Sequence, residues 1–149
     1  MVKIIQATID NLLQISPLFD AYRQFYGQEE NLDLSHKFIK ERLVEADSII
    51  FIAMNEQNTL VGFAQLYPSF SSVAMKRTWI LNDLYVEHAF RQQGVATALL
   101  HQVDVFAKFT HADSIKLSTE VSNGAAKALY ESKGYRQLNQ FDHYIKRVD

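Results

Sequence analysis

Leu84-Tyr85-Val86-Glu87-His88-Ala89-Phe90-Arg91-Gln92-Gln93-Gly94-Val95-Ala96-Thr97 runs from the end of a strand, through a short turn, into a helix. Trp79 to Val86 is rich in β-branched and aromatic residues, as a strand requires. From Arg91 to Thr110, Val95, Leu99, Val103 and Phe106 recur on one helical face. The start of a helix leaves about four backbone N–H groups unpaired and carries partial positive charge, so main-chain donors there can hold a diphosphate. Gly94 and Ala96 put little or no side chain in the way, and Arg91 can add charge-assisted hydrogen bonds. The plainer reading is that Gly94 only eases a tight turn. No Gly-Lys-Ser/Thr follows, and the spacing is not G-x-G-x-x-G, so the phosphate would belong to another ligand class than that of either motif.

Outward from this segment, the chain reads as alternating elements. Val2 to Ala7 suits a first strand. Thr8 suits an N-cap before a helix carrying Leu12, Ile15, Phe19, Tyr22 and Tyr26 on one face, with Pro17 inside it. After the acidic connection from Gly27 to Asp33, Ser35 can cap a second helix that turns Phe38, Ile39 and Leu43 inward. Ser48 to Met54 and Leu60 to Tyr67 form a hairpin across Glu56-Gln57-Asn58, Pro68 ends its second strand, and Phe70 tips the loop from Ser69 to Lys76. Downstream, Ser114 to Val121 reads as a strand, Asn123 to Ser132 as a helix, and Tyr135 to Arg147 as two closing strands. The expected fold is α/β, one domain over residues 1–149 with a mixed central sheet and the order βααβββαβαββ.

Bulk properties narrow the partners. The 149 residues are 48% hydrophobic and 21% charged, with five Gly and two Pro, the composition of a globular chain with one core. A net charge of −2, with Lys and Arg scattered, gives no footprint for nucleic acid. No apolar run approaches the ~20 residues of a membrane span, and no secretory leader is evident, so a cytoplasmic location is expected. The absence of Cys excludes disulfides and thiolate chemistry. His36, His88, His101, His111 and His143 lack metal-ligand spacing, so no metal is expected.

Leu84-Tyr85-Val86 followed by Arg91 to Ala96 resembles the GNAT superfamily of N-acetyltransferases, in which a strand leads to R/Q-x-x-G-x-G/A and then a helix. A second segment, Asn123-Gly124-Ala125-Ala126-Lys127-Ala128-Leu129-Tyr130-Glu131-Ser132-Lys133-Gly134-Tyr135, is similar to the family's downstream motif. The resemblance implies acetyl-CoA as cosubstrate, and direct attack by an amine on its acetyl group in a ternary complex. Leu84, Tyr85 and Val86 would offer main-chain groups to the pantetheine arm. Amides from Gln92, Gln93, Gly94, Val95, Ala96 and Thr97 would hold the pyrophosphate with the charge of Arg91 beside them, and Asn123, Gly124, Ala125 and Ala126 would line the coenzyme. Homodimers are common among such proteins.

Tyr130 would be the general acid that protonates the departing thiolate, against the alternative of a Tyr packed on its helix. An ammonium acceptor must first lose a proton. Asp83 is the first candidate for that base, with Glu120 at the end of the next strand as the alternative and Asp83 then only attracting a cation; both could equally be solvated strand carboxylates. Tyr22, Tyr26, Tyr67, Phe70 and Trp79 could wall an acceptor pocket that favours a cation, although each could be core. The expected substrate is a small-molecule amine. A protein lysine or N-terminus, or a non-catalytic acyl-CoA sensor, are the other readings.

Overall fold

A computed structural model describes residues 1–149. Its sheet has five strands in the order β1 (Lys3–Gln6), β2 (Ile49–Met54), β3 (Leu60–Ser71), β4 (Lys76–Val86) and β5 (Ser114–Lys116). The first four pair antiparallel and β5 lies parallel to β4, so the sheet is mixed and the expected α/β class holds. Helices α1 (Leu12–Phe25) and α2 (Leu32–Glu45) separate β1 from β2, α3 (Val95–Phe109) separates β4 from β5, and α4 (Gly124–Ser132) follows. The chain falls into two compact units, Met1–Ser118 and Thr119–Asp149. No helix is long and apolar enough to cross a membrane.

In the first unit, alternation along the strands feeds two cores. Ile50, Ile52 and Phe63 point toward α1 and α2, where they meet Ile15, Phe19 and Ile39. On the other face, Phe51 and Trp79 pack on Phe106 of α3 at ring separations of 5.4 and 5.1 Å. Val95, Leu99, Leu100 and Val103 form the buried stripe of α3, as their spacing requires. Gly62 on β3 allows that helix its close approach. A Cβ there would stand 3.0 Å from the Tyr85 carbonyl oxygen and 3.2 Å from a methyl of Val95. Since the nearer obstacle is backbone, Gly62→Ala is expected to cost about 1–3 kcal/mol, read as a lower denaturation midpoint at unchanged m-value.

Thr8 caps as expected. Its hydroxyl accepts from the Asp10 amide, and Asn11 returns a bond to the Thr8 amide, opening a 3-10 turn that continues into α1. Pro17 is accommodated inside α1, leaving the carbonyl of exposed Leu13 without its helical donor. Other boundaries differ from the sequence reading. Asn31, not Ser35, caps α2 by accepting from the Leu34 amide; Ser35 lies one turn in, because its hydroxyl is drawn to Asp20. Pro68 does not end β3. The partner strand β2 stops opposite Leu66, so from Tyr67 onward β3 is an edge, where a missing N–H is tolerated. The strand β5 ends at Lys116 rather than Val121.

The two closing strands over Tyr135 to Arg147 do not form, and that stretch holds no regular secondary structure. Its apolar residues, Tyr135, Leu138, Phe141, Tyr144 and Ile145, do not alternate with polar ones as a half-buried strand requires. Leu138, Phe141, Tyr144 and Ile145 are accordingly exposed.

Candidate active site

Within the first unit, the site is built where β4 bends. Opposite the single step from Gln65 to Leu66, β4 takes two, from Asp83 past Asn82 to Leu81. The extra residue is a β-bulge at Asn82, a device that re-aims side chains and interrupts pairing. On its far side, β4 pairs with β5 only at Thr78, Trp79 and Ile80. From Leu81 to Val86 that edge of β4 carries no strand partner, so Leu84, Tyr85 and Val86 present main-chain groups as an open edge does.

The turn after β4 leads to the helix start singled out in the sequence. The helix α3 begins at Val95, with Gly94 as N-cap in the left-handed region at φ 81°, and no side chain caps it. Gln92 is also left-handed at φ 61°. Such a turn before an uncapped N-terminus turns successive amides outward, the arrangement that binds phosphate oxygens. The residues from Gln92 to Thr97 therefore fit a diphosphate by backbone. Arg91 is anchored beside this turn: its Nε donates to the Val86 carbonyl at 2.9 Å, and its guanidinium covers the rings of Phe25 and Tyr85 at 5.2 and 5.5 Å. It fixes the turn against β4 and α1.

Past the bulge, Asp83 points to the α1 face and is 2% exposed. Its carboxylate accepts from the Gln65 side-chain amide and from Asn82 Nδ2 at 2.7 Å, and the Tyr22 hydroxyl beside it donates to the Asn82 carbonyl at 3.3 Å. Ser48 donates to Gln65 Oε1 at 2.9 Å, which fixes that amide with its nitrogen toward Asp83. Burial pushes the Asp83 carboxyl above the ordinary carboxylate value, and its neutral donors only partly offset this. No Lys or Arg forms an ion pair with it.

Tyr22 and Tyr67 lie near this carboxyl, and Tyr26 packs on Tyr22. The rings of Tyr22 and Tyr26 stand 5.1 Å apart, and Tyr67 is pushed up to about 12 by burial and then by the charge of Asp83. Two of the aromatic residues expected beside them lie elsewhere. Trp79 is buried on the opposite sheet face, against α3, where its indole N–H donates to Thr110 at 2.9 Å. Phe70 is exposed on β3, roughly 17 Å along the strand from Gln65, under the guanidinium of Arg77. Neither walls the Asp83 site. Glu120 is not at a strand end, because β5 stops four residues earlier; it is exposed in the irregular stretch before α4.

In the second unit, Asn123 caps α4 by accepting from the Ala126 amide at 3.1 Å, and Gly124, Ala125 and Ala126 form its first turn. The Tyr130 carbonyl accepts from the Lys133 and Tyr135 amides, and its ring stands 5.8 Å from that of Tyr135. No group of three or more His, Asp or Glu side chains is placed to hold a metal ion. Sequence reasoning missed Asn82, Gln65 and Ser48. An Asn and an Asp adjacent on a strand were the available signal, since side chains that should face opposite ways can share a site only across a bulge.

The family model of the acetyltransferase (GNAT) family matches residues 14–135. The chain belongs to that family. Its open β4 edge and uncapped α3 start thus lie inside the GNAT match. The uncharacterized N-acetyltransferase YhfO of Bacillus subtilis is 42% identical over 143 residues, covering 96% of this chain and 95% of that protein. A probable acetyltransferase of Haemophilus influenzae is 36% identical over 135 residues, 90% of each chain. The crystal structure of a probable acetyltransferase superposes with a TM-score of 0.94 at 42% identity, covering 99% of this chain and 98% of that one. The protein is thus an acyltransferase, and the GNAT family uses acetyl-CoA.

Proposed function

We propose that the chain works as one catalytic domain that moves an acetyl group from acetyl-CoA to a primary amine of a small cationic molecule, by direct attack in a ternary complex. The observation that carries the acceptor side is Asp83: a buried carboxylate with no cationic partner, held by neutral donors beside Tyr22 and Tyr67. A negative charge kept out of water without a counter-charge favours a ligand that brings one, and aromatic faces add cation–π attraction. Acetyl-CoA supplies the activated acetyl thioester. On this reading Gln92 to Thr97 hold its pyrophosphate by backbone, and Leu84 to Val86 its arm along the open edge. Gly124 to Ala126 line it, Asp83 is the base, and Tyr130 protonates the departing thiolate. The cytoplasmic location and the homodimer expected from the sequence belong to this reading.

Thiol release from acetyl-CoA, followed across putrescine, spermidine, aminoglycosides, neutral and acidic amino acids and basic peptides, tests it. Turnover concentrated on small cations is expected. A preference for acidic or neutral amines would overturn the cationic site, and a preference for peptides would move the acceptor to proteins. Coenzyme binding without turnover on any amine would favour a sensor.

A further inference from the structure

We infer that Gln65 is a positioning residue for the acetyl transfer: its buried side-chain amide, turned by Ser48, holds the Asp83 carboxylate in one orientation and favours its charged form, a role that rests on the reading of Asp83 as the base. The strand register brings the three together. Gln65 on β3 stands directly opposite Asp83 on β4 and opposite Ile50 on β2. Ser48 lies two residues before Ile50, on the diagonal that a long side chain still reaches. The alternation that sends Ile50, Ile52 and Phe63 toward α1 and α2 puts Ser48, Gln65 and Asp83 on that same face.

Gln65 is 0% exposed and interrupts an apolar run from Leu60 to Leu66. A buried amide costs free energy unless its polar ends are bonded, and an apolar side chain would fill the position at lower cost. Both ends of Gln65 are bonded. Ser48 Oγ donates to Oε1 at 2.9 Å, and Nε2 donates to Asp83 Oδ2. With the oxygen taken by a donor, the nitrogen is the end that meets Asp83. A donor in that place suits a carboxylate, which only accepts, and opposes the rise that burial imposes on the Asp83 carboxyl. The other oxygen, Oδ1, accepts from Asn82 at 2.7 Å, but Asn82 is exposed, so solvent can take over its bond. Gln65 acts from inside the sheet.

The titratable groups around Asp83 come from several elements. Tyr22 of α1 and Tyr67 of β3 lie near it, Tyr26 of α1 packs on Tyr22 at 5.1 Å, and Tyr85 of β4 stands 6.0 Å from Tyr22. Arg42 of α2 and Asp47 act on Tyr67 and engage each other at 2.7 Å. The phenols of Tyr22 and Tyr67 are pushed above their ordinary value, Tyr67 to about 12, so both stay neutral through the acid range. A change in the acidic limb on altering Gln65 is therefore not the titration of either phenol.

The test combines an NMR titration of aspartate carboxyl-labelled protein, with Asp83 identified as the resonance lost in Asp83→Asn, and pH–rate profiles on putrescine or whichever panel amine turns over fastest. Gln65→Met keeps the length of the side chain and removes its polar ends. It is expected to move the Asp83 titration and the acidic limb up together by about one pH unit, at unchanged KM for acetyl-CoA. Ser48→Ala should move both the same way by less, and Ser48→Thr, which keeps a hydroxyl, should restore them. The Ser48 pair carries the comparison even where Gln65→Met fails to fold. A Gln65 that only packs would change the melting temperature and leave both midpoints in place. Unmoved midpoints in Gln65→Met, or in both Ser48 variants where it does not fold, overturn the inference and leave Asp83 as base. An acidic limb that survives Asp83→Asn removes the base itself, and with it the catalytic role of Gln65, even if the NMR titration moves.

Discussion

Replacing Asp20 with Ala is expected to lower the unfolding free energy by about 3 kcal/mol, although Asp20 touches none of the proposed reacting groups. The residue lies on the buried face of α1, one turn after Ser16, and is 3% exposed. Its carboxylate accepts from Ser35 Oγ at 2.6 Å, Arg23 at 2.9 Å, Gln24 at 3.0 Å and the Asn31 amide at 3.2 Å. Arg23 in turn donates to the Glu29 carbonyl, so one carboxylate fixes the connection between α1 and α2 and the start of α2. Bonds to a charged group are each worth ~1.5–3 kcal/mol. Arg23 and Gln24 recover water when released, so their share shrinks. The Ser35 hydroxyl and the Asn31 amide carry most of the cost. For a chain of this size the melting temperature should fall by roughly 6–12 °C.

The pH dependence gives the sign independently. Burial alone would raise the Asp20 carboxyl, but its hydrogen bonds outweigh that, and the net value lies below the ordinary 3.8. A depressed carboxylate stabilises the fold above its unfolded value, and that contribution fades as pH falls through the folded one. The wild-type advantage over Asp20→Ala should therefore be full at neutral pH and shrink in the acid range below 3.8. An advantage that persists there unchanged would mean that the cost of the substitution is packing, not charge.

Asp20 also shows what a sequence hides. It stands among Leu12, Ile15, Ser16 and Phe19 at helical spacing, so its position on the buried face was readable, but its partner Ser35 is visible only once α1 and α2 pack. Ser35, taken alone, looks like a cap. The turn into α3 was legible for the opposite reason. A left-handed Gly94, an uncapped helix start and the stripe from Val95 onward are local features, written within one stretch of chain.

Side-chain direction on β4 was the harder problem. Trp79 and Asp83 are four residues apart, and strict alternation puts them on one face of the sheet. The bulge at Asn82 reverses that relation, sending Trp79 to α3 and Asp83 to α1. A bulge depends on the pairing of two strands, and neither strand alone encodes it. That single extra residue takes Trp79 out of the aromatic pocket read from the sequence, and distance along β3 takes out Phe70. The family motif after Asn123 had a related limit: it names Tyr130 but not its surroundings.

Tyr130→Phe is expected to lower kcat by about 10²–10⁴-fold while KM for acetyl-CoA stays near wild type. The substitution removes one oxygen. The aromatic contact with Tyr135 at 5.8 Å and the carbonyl bonds to Lys133 and Tyr135, which close the end of α4, do not need it. A tyrosine that only packs would tolerate the change almost without loss. If the hydroxyl instead protonates the departing thiolate, its absence should matter in proportion to how badly the leaving group needs a proton. An acetyl donor whose thiolate is a weak base, such as an aryl thioester, should therefore restore much of the lost rate in Tyr130→Phe and change the wild type little. A structural defect would depress both donors alike, so equal losses would remove Tyr130 from the acid role, whereas selective rescue would tie its hydroxyl to the sulfur.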